Sequence, residues 1–408
     1  MRRKLLLPKY CLRSTICAGT DGVRYALQRS LFIVMSHSFQ TFIKICCSWI
    51  LFLVAALVAC GLDTCTADAK YSFPQKSWER VDPAAAGWSV PELQAAKEYG
   101  KAIGSMSWML IENGKVVDSY GPLDILNSLH SARKSFMSAM YGQAIADGTI
   151  DLSKTMADLG IDDNDPKLTP EEKQATIRDL LMARSGVYHV ALGEAPEMAA
   201  ARPQRHSHPH GTFWYYNNWD FNTLGSIFNQ LTKKSLYEFL NDRIAVPLQM
   251  EDFKLSDQQY EDGPESIHKY YNIEMSARDM ARFGQLFLNN GCWNGRQIVP
   301  AAWVKESTAP YSDTVSNFIP DGNGYYGYLW WVVAHNKSFP NTSLPDGSYA
   351  ALGAGPQIIL VIPKRGLVLV HRTATDSACP QDNKDCDIHY LSDSKVFTLM
   401  EMLVQAKK

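Results

Sequence analysis

The chain has 408 residues, of which 46% are hydrophobic, 11% aromatic and 20% charged, and its formal net charge is −2. This length is enough for one large domain or two ordinary ones, and the composition is that of a globular protein rather than a disordered one. Because the chain is not strongly basic, it is no polycation suited to wrapping nucleic acid, and no nucleic-acid partner is expected.

The first 69 residues differ from the rest and are predicted to be an N-terminal extension with an export signal. Residues 1–44 are rich in lysine and arginine and contain the single acid Asp21, and an apolar run follows at 45–62. A positive segment, a short apolar run and then small residues are the layout of a secretory signal. A start at Met35 would shorten the positive segment, so residues 1–34 are expected to be an over-extended reading frame.

Three outcomes are open for this export segment. The residues Leu-Val-Ala before Cys60 resemble the lipobox of bacterial lipoproteins, in which the cysteine is acylated after cleavage. Ordinary cleavage near Ala67 or Ala69 is the second outcome, and an uncleaved membrane anchor at 45–62 is the third, since a run of this length can just span a bilayer. All three predict that residues 70–408 are exported, either periplasmic or attached to the membrane.

Cysteine usage is compatible with export. Downstream of Cys60 the chain keeps only Cys65, Cys292, Cys379 and Cys386. The last two bracket a polar loop and could form a disulfide in an oxidising compartment. No C-x-x-C pair is present, so the sequence does not indicate a structural zinc site.

The predicted elements begin with a helix from about Ser89 to Gly100. Two strands follow at Ser107–Ile111 and Lys115–Tyr120, and the Asn-Gly pair between them is the strongest short hairpin signal. Residues 131–147 place apolar side chains at helical spacing, and a glycine ends that helix.

The middle of the chain, to about Asp262, is predicted to be mainly helical, and the C-terminal third is predicted to be rich in strands. The helices are expected at Ile177–Met182, Thr223–Leu231, Leu236–Ile244, Ser276–Leu288 and Ser394–Gln405, and the strands at Tyr326–Val333, Tyr349–Leu352, Gln357–Ile362 and Leu367–Arg372. The polar loop Gly193–Gly211 is too long for a bare connector and is expected to be functional or mobile. This order predicts an α/β (α+β) domain whose antiparallel sheet is assembled from both ends of the chain, with a helical insertion at about 131–262.

The first chemical motif is Ser131-Ala-Arg-Lys134. Residues three apart share a helix face, so Lys134 can lie beside the Ser131 hydroxyl. A serine at a helix N-terminus sits at the positive end of the backbone dipole, and a buried lysine near other cations can act as a base. The same spacing occurs at Ser266–Lys269 and Ser392–Lys395, but only Ser131 follows a strand pair and begins an apolar helix.

The second motif is Tyr216-Asn-Asn218. A tyrosinate near a lysine can relay the proton of a nucleophile, and an asparagine can hydrogen-bond a substrate amide. The alternative interpretation is that Tyr216 belongs to an aromatic packing cluster with Phe213, Trp214 and Tyr215, because aromatic side chains usually serve packing.

The third motif is Gly353-Ala-Gly355-Pro-Gln357, between two predicted strands. Glycines at a strand edge let a ligand approach the backbone, and an N–H group at that edge can complete an oxyanion hole. Gly353, Gly355 and Gln357 are therefore candidates for substrate binding, although a tight turn would use the same residues and Gln357 could equally be structural.

Together these motifs resemble those of the serine β-lactamase and penicillin-binding-protein superfamily, and most closely its class C-like branch of esterases and amide hydrolases. That family has S-x-x-K, Y-x-N and a glycine-ended triplet on a strand, in this order. Segments 177–186, 281–285 and 326–331 also resemble its recurring blocks. The resemblance covers about Asp82 to Leu403 and implies a β-lactamase/DD-peptidase-like fold, an antiparallel sheet flanked by helices, for residues 70–408.

The mechanism that the resemblance implies is acyl transfer without a metal or an organic cofactor. Ser131 would attack a carbonyl, Lys134 and Tyr216 would move its proton, and backbone N–H groups of Ser131 and of a residue near Gly355 would hold the oxyanion. The triplet Ala351-Leu-Gly lacks the lysine, histidine or tryptophan with which the family usually begins it. The expected partner is therefore a small-molecule ester or a less acidic amide rather than peptidoglycan or a classical β-lactam.

Two alternatives are open. His206, His208 and His210, with His189 nearby, could bind zinc, but no acidic ligand is interleaved with them. A catalytically silent sensor or binding module could also keep the same fold, and the reactivity of Ser131 towards a covalent serine probe distinguishes it from an enzyme. An α/β-hydrolase is not indicated, because no serine lies in a G-x-S-x-G frame.

Overall fold

The computed structural model describes Cys65, residues 71–316, Ile319, residues 322–374 and residues 393–408. Apart from Cys65, the predicted N-terminal extension and export segment (residues 1–69) lies outside these residues, as does the predicted Cys379–Cys386 disulfide. Within the part of the chain that the structure describes, no helix is both long enough and apolar enough to cross a membrane.

The helices and strands have the following bounds. The α-helices are α1 Val90–Ala102, α2 Arg133–Ala146, α3 Met156–Leu159, α4 Ile177–Leu181, α5 Pro196–Ala201, α6 Asn218–Thr232, α7 Leu236–Leu240, α8 Ala277–Leu288, α9 Ala301–Ser307 and α10 Asp393–Gln405. The strands are β1 Ser107–Glu112, β2 Lys115–Tyr120, β3 Asn127–Ser128, β4 Tyr260–Gly263, β5 Ser266–Tyr271, β6 Glu274–Met275, β7 Cys292–Trp293, β8 Arg296–Gln297, β9 Ser312–Asp313, β10 Tyr325–Tyr326, β11 Trp331–Val332, β12 Tyr349–Gly353, β13 Gln357–Ile362 and β14 Leu367–Arg372.

One antiparallel sheet organises the domain, in the strand order β2-β1-β14-β13-β12-β11-β10-β9. Strand β1 pairs with β14, with Ser107 opposite Arg372 and Glu112 opposite Leu367. The sheet is thus assembled from both ends of the chain, which confirms the predicted fold. Helices α1 and α10 pack together, and α8 packs against β13 and β14 so closely that a Cβ atom at Gly284 would lie 2.6 Å from Val368.

Two predicted elements differ in the structure. The predicted strand Tyr326–Val333 is a hairpin in which Tyr326 of β10 lies opposite Trp331 of β11. The chain reverses at Leu329, which has a φ of +63°, so this apolar run is a turn rather than a continuous strand. The predicted helical stretch is less helical than expected: it contains several helices of six residues or fewer and ends in the β4–β5 hairpin. Three of these short helices begin at complete capping boxes, which are formed by Thr155, Thr176 and Ser235.

A disulfide joins Cys65 to Cys292, the first residue of β7. Because the two cysteines are 227 residues apart in sequence, no local pattern indicates that they pair. The bond ties the start of the described chain to the short β7–β8 hairpin.

The turn that carries Ser131 packs directly against the end of β12. Strand β3 pairs with β6 and leads into a 3₁₀ turn, His130–Ala132, that continues into α2. A Cβ atom at Gly353 would lie 2.2 Å from the carbonyl oxygen of Leu129 and 3.0 Å from the amide nitrogen of Ala132. Only glycine therefore permits this approach of the sheet to the turn.

We predict that Gly353→Ala lowers the free energy of unfolding by about 1–3 kcal/mol, because the added methyl group overpacks the Leu129–Ala132 turn. Urea denaturation would measure the change. Ala354→Ser, at the exposed neighbouring position, is the control and should unfold at the wild-type urea concentration. Equal stability of Gly353→Ala and wild type would contradict the close packing of β12 on this turn.

Candidate active site

Three side chains from two distant segments meet at the N-terminus of α2. Lys134 Nζ donates a hydrogen bond to Ser131 Oγ at 2.7 Å and another to the Tyr216 hydroxyl at 2.9 Å. The Tyr216 hydroxyl also hydrogen-bonds to Ser131. The lysine is 1% exposed and Tyr216 is 7% exposed, so the three groups form a compact and mostly dry centre.

The environment of this centre favours an uncharged lysine. Burial lowers the pKa of Lys134 well below its usual value, and the charge of Arg133 lowers it further. Burial raises the pKa of Tyr216 to about 12, although the hydrogen bond with Ser131 and the charge of Arg133 act in the opposite direction. The sequence predicts a tyrosinate relay, whereas these directions keep the proton on Tyr216 and favour its loss from Lys134.

The S-x-x-K segment Ser266–Lys269 offers no such arrangement. Ser266 lies on β5, where its hydroxyl binds the Asp163 carboxylate at 2.6 Å, and Lys269 pairs with Asp262. On a strand, residues three apart point to opposite faces, so the spacing has no helical meaning there. Ser392 lies outside the described residues.

The backbone before the nucleophile is held in an uncommon conformation. His130 has a φ of +45°, and its N–H group donates to the Ser128 hydroxyl at 3.1 Å. Left-handed backbone at a residue other than glycine costs free energy and persists where the surroundings impose it. This bend turns the chain from β3 into α2 and leaves Ser131 as the partly exposed member of the centre.

Tyr216 also lies in an aromatic cluster, as the alternative interpretation predicted, but Trp214 is the one predicted member whose ring packs against it among the described contacts. Its ring centroid is 5.0 Å from that of Phe221 and 5.4 Å from that of Trp331. Asn217 caps α6 by accepting a hydrogen bond from the Trp219 N–H group. Packing and proton transfer are therefore compatible functions of Tyr216, because the cluster fixes the ring while the hydroxyl reaches Lys134.

Asn218 connects the centre to the long polar loop. Its Nδ2 group donates to the carbonyl oxygen of Gly193 at 2.5 Å, and among the described residues its Oδ1 atom has no hydrogen-bond partner. Asn218 is the first residue of α6 and is 4% exposed. It lies two residues from Tyr216, and its Oδ1 atom is a buried acceptor that the described residues leave unsatisfied.

The glycine triplet lies beside the nucleophile turn, but the Gln357 side chain does not line the site. Gly353 contacts the turn as described above, and Gly355 follows with a φ of +62°. Gln357 is fully buried: its Nε2 group donates to the carbonyl oxygens of Gly355 and Thr373, and its Oε1 atom accepts from Arg372 Nε at 2.6 Å. Gln357 therefore holds the turn after β12 in shape, and the prediction that it binds substrate is corrected.

The histidines of the polar loop have separate partners. His206 lies 3.7 Å from Glu172, His210 lies 3.1 Å from Asp179, and the His208 ring stacks on Phe213. Among the described residues, no group of three His, Cys, Asp or Glu side chains could hold a metal ion. Ion pairs also fasten this loop, which was expected to be functional or mobile, to the rest of the domain.

A cavity of about 880 Å³ opens beside the aromatic residues that precede Tyr216. Phe213, Trp214 and Tyr215 contribute to its lining, and the Trp214 ring packs against the Tyr216 ring with a centroid distance of 6.4 Å. The one arginine among its described lining residues, Arg202, pairs with the Glu194 carboxylate. The cavity thus presents aromatic faces without an unpaired cation.

Arg133 is the functional candidate that the sequence motifs missed. It occupies one of the two unspecified positions of the S-x-x-K motif. An arginine there would be expected at the surface, yet its side chain is 1% exposed. Its burial has no local signal, because α2 is buried on every side from Arg133 to Ala144.

A Ser-Lys-Tyr centre at the junction of an antiparallel sheet and a buried helix defines the class of penicillin-recognising proteins. A family model described as Beta-lactamase matches residues 93–385, which is most of the chain. The chain therefore belongs to the beta-lactamase family, within the serine β-lactamase and penicillin-binding-protein superfamily, as its motifs predicted. A curated relative, an uncharacterised protein of Alkalihalophilus pseudofirmus, is 31% identical over 137 residues, which span 33% of this chain and only 38% of that protein.

Solved structures show the same fold at low identity. A protein from Bacillus anthracis assigned as a 6-aminohexanoate-dimer hydrolase is 21% identical, with a TM-score of 0.54 over 84% of this chain and 90% of that chain. A penicillin-binding-protein homologue from Caulobacter crescentus is 16% identical, with a TM-score of 0.58 over 81% and 99%. A family VIII carboxylesterase is 16% identical, with a TM-score of 0.53 over 78% and 99%. The family and these neighbours include hydrolases, which supports an enzyme of the hydrolase kind.

We predict that Tyr216→Phe keeps the fold but reduces the reactivity of Ser131. The phenylalanine ring preserves the aromatic packing, whereas loss of the hydroxyl should slow acylation by roughly 10²-fold, the scale of a lost general acid–base group. Thermal unfolding and the rate of modification by a fluorophosphonate would measure the two effects separately. Wild-type reactivity in this variant would show that the Tyr216 hydroxyl does not assist Ser131 and that Tyr216 serves packing alone.

Proposed function

We propose that the protein is a serine hydrolase that forms an acyl-enzyme on Ser131 with an ester or amide substrate. The observation that carries this proposal is the hydrogen-bonded contact of Ser131 Oγ and the Tyr216 hydroxyl with one buried lysine amine, Lys134. A neutral amine at 2.7 Å from a serine hydroxyl can take its proton as the oxygen attacks a carbonyl carbon.

The reaction runs in two half-reactions on the same groups. Ser131 Oγ bonds to the carbonyl carbon, its proton moves to Lys134 Nζ, and the carbonyl oxygen becomes an oxyanion. Backbone N–H groups of Ser131 and of a residue near Gly355 stabilise that charge. The tetrahedral intermediate then collapses: the bond to the leaving group breaks, and the leaving group takes the proton from Lys134 through Tyr216. Water then attacks the acyl-enzyme by the same steps and releases the acid.

The expected substrate is uncharged near the reacting carbonyl. The triplet that ends at Gly353 supplies no cation to bind a substrate carboxylate, and Arg202, in the cavity beside Trp214, is already paired. Phe213 and Trp214 offer ring faces to an apolar or aromatic group. These features favour an esterase or amide hydrolase of the class C-like branch over a classical β-lactamase.

We also propose that the domain works outside the cytoplasm, either free in the periplasm or attached through Cys60 acylation or the apolar segment 45–62. The two attached forms retain Cys65, whereas cleavage near Ala67 or Ala69 would remove it. The disulfide between Cys65 and Cys292 supports an oxidising compartment, where such bonds persist. The layout of residues 1–69 supports an export route.

We predict that wild-type protein hydrolyses a panel of p-nitrophenyl esters and that Ser131→Ala abolishes the turnover while leaving the fold intact. Esters with aromatic acyl groups should be better substrates than esters whose acyl group carries a carboxylate, because the cavity beside Trp214 offers ring faces and its one described arginine, Arg202, is paired. Released p-nitrophenol measures the rate, and circular dichroism checks the fold. Turnover that persists in a folded Ser131→Ala variant would show that Ser131 is not the nucleophile.

A catalytically silent binding module is the second candidate function, since a family fold can persist without turnover. It predicts no hydrolysis of any ester, amide or β-lactam by correctly folded wild-type protein. The Ser131 and Lys134 pair then would serve only to bind a carbonyl ligand.

A further inference from the structure

Arg133 carries a buried positive charge one residue before Lys134. It is 1% exposed, and its Nη1 group donates to the carbonyl oxygen of His130 at 3.1 Å. Its Nε and Nη2 groups have no hydrogen-bond partner among the described residues. The guanidinium instead lies over two rings, with its carbon 4.0 Å from the Tyr270 centroid and 4.6 Å from the Tyr271 centroid.

Burying a charged side chain costs free energy unless another group compensates the charge. A buried charge is normally compensated by a carboxylate, and in the described part of the chain none pairs with Arg133. Aromatic faces attract a guanidinium, but they bring no formal negative charge that could cancel its field. The positive potential of Arg133 therefore acts on its neighbours.

The groups packed around Arg133 and Lys134 do not neutralise this field near neutral pH. Besides Tyr270 and Tyr271 of β5, the surrounding groups are His130 before α2, Tyr216 before α6, and Tyr237 of α7. Burial raises the pKa of Tyr216 to about 12 and raises the pKa values of Tyr237 and Tyr271 further.

We infer that Arg133 is a positioning residue for the proposed reaction: its fixed charge disfavours a second positive charge on Lys134 and so maintains a free amine beside Ser131 at neutral pH. This inference rests on the proposed function. It differs from a packing role, in which Arg133 would only hold the His130 turn against Tyr270.

The choice of arginine rather than lysine fits this role. A guanidinium cannot lose its proton in a protein, whereas a buried lysine can, so only arginine supplies a charge that burial does not remove. The charge also acts on Tyr216, whose pKa it lowers, so both groups that move the Ser131 proton feel the same field.

The test is the pH dependence of Ser131 modification by a fluorophosphonate, measured from pH 5 to pH 10 by intact mass. In wild type, the rate should rise with pH as Lys134 loses its proton. In Arg133→Met the positive field is gone, Lys134 holds its proton more tightly, and the midpoint should move up by about one pH unit or more, a tenfold loss of rate on the acidic limb. At high pH the variant should approach the wild-type rate.

Arg282→Met is the matched control. Arg282 is a fully buried arginine of α8 that contacts Glu251 and the carbonyl oxygen of Leu248. Its loss perturbs packing without removing a charge beside Lys134, so the midpoint should stay at the wild-type pH. Arg133→Gln, which keeps a donor for the His130 carbonyl, replaces Arg133→Met for the same measurement if the methionine variant does not fold.

An unchanged midpoint in a folded Arg133 variant, even with a lower rate at every pH, would overturn this inference and leave Arg133 a packing residue. That outcome would leave the proposed function intact, because Ser131 would still be modified. A wild-type protein whose Ser131 is never modified would instead overturn the proposed function itself.

Discussion

The burial of one lysine amine between a serine hydroxyl and a tyrosine hydroxyl is the constraint to which the other features of this site relate. Lys134 is almost fully buried, and its amine lies within hydrogen-bond distance of Ser131 and Tyr216. A charged amine would be poorly solvated there, so burial favours its neutral form. A neutral amine beside a hydroxyl is what proton abstraction requires, and the same burial that lowers the pKa of Lys134 keeps Tyr216 protonated.

The fold serves this constraint by bringing three separate segments to one place. The 3₁₀ turn at His130–Ala132 supplies the nucleophile, the start of α6 follows the tyrosine, and the end of β12 approaches the turn at Gly353. Each contact depends on a specific local feature: a left-handed residue at 130, an asparagine cap at 217 and a residue without a side chain at 353. The aromatic cluster around Tyr216 then excludes water from one side of the centre.

Much of this arrangement could be predicted from the sequence, because the signals are local. Helical spacing predicts that Lys134 lies beside Ser131, and the Asn-Gly hairpin signal with the strand-rich C-terminal third predicts most strands of the sheet. Gln357 could not be assigned, since its role depends on Arg372 and Thr373, which lie on the neighbouring strand and just beyond it. The same limit applies to the disulfide of Cys65, whose partner is remote in sequence, and to Arg133, whose burial depends on Tyr270 and Tyr271 of a distant hairpin.

Intact-mass spectrometry of the purified protein, before and after a fluorophosphonate, tests the central claim most directly. We expect one adduct per chain on wild-type protein, located at Ser131 by peptide mapping, and no adduct on a folded Ser131→Ala variant. An adduct that persists in this variant, or a folded wild-type protein that is never modified, would contradict the claim that Lys134 activates Ser131 as a nucleophile.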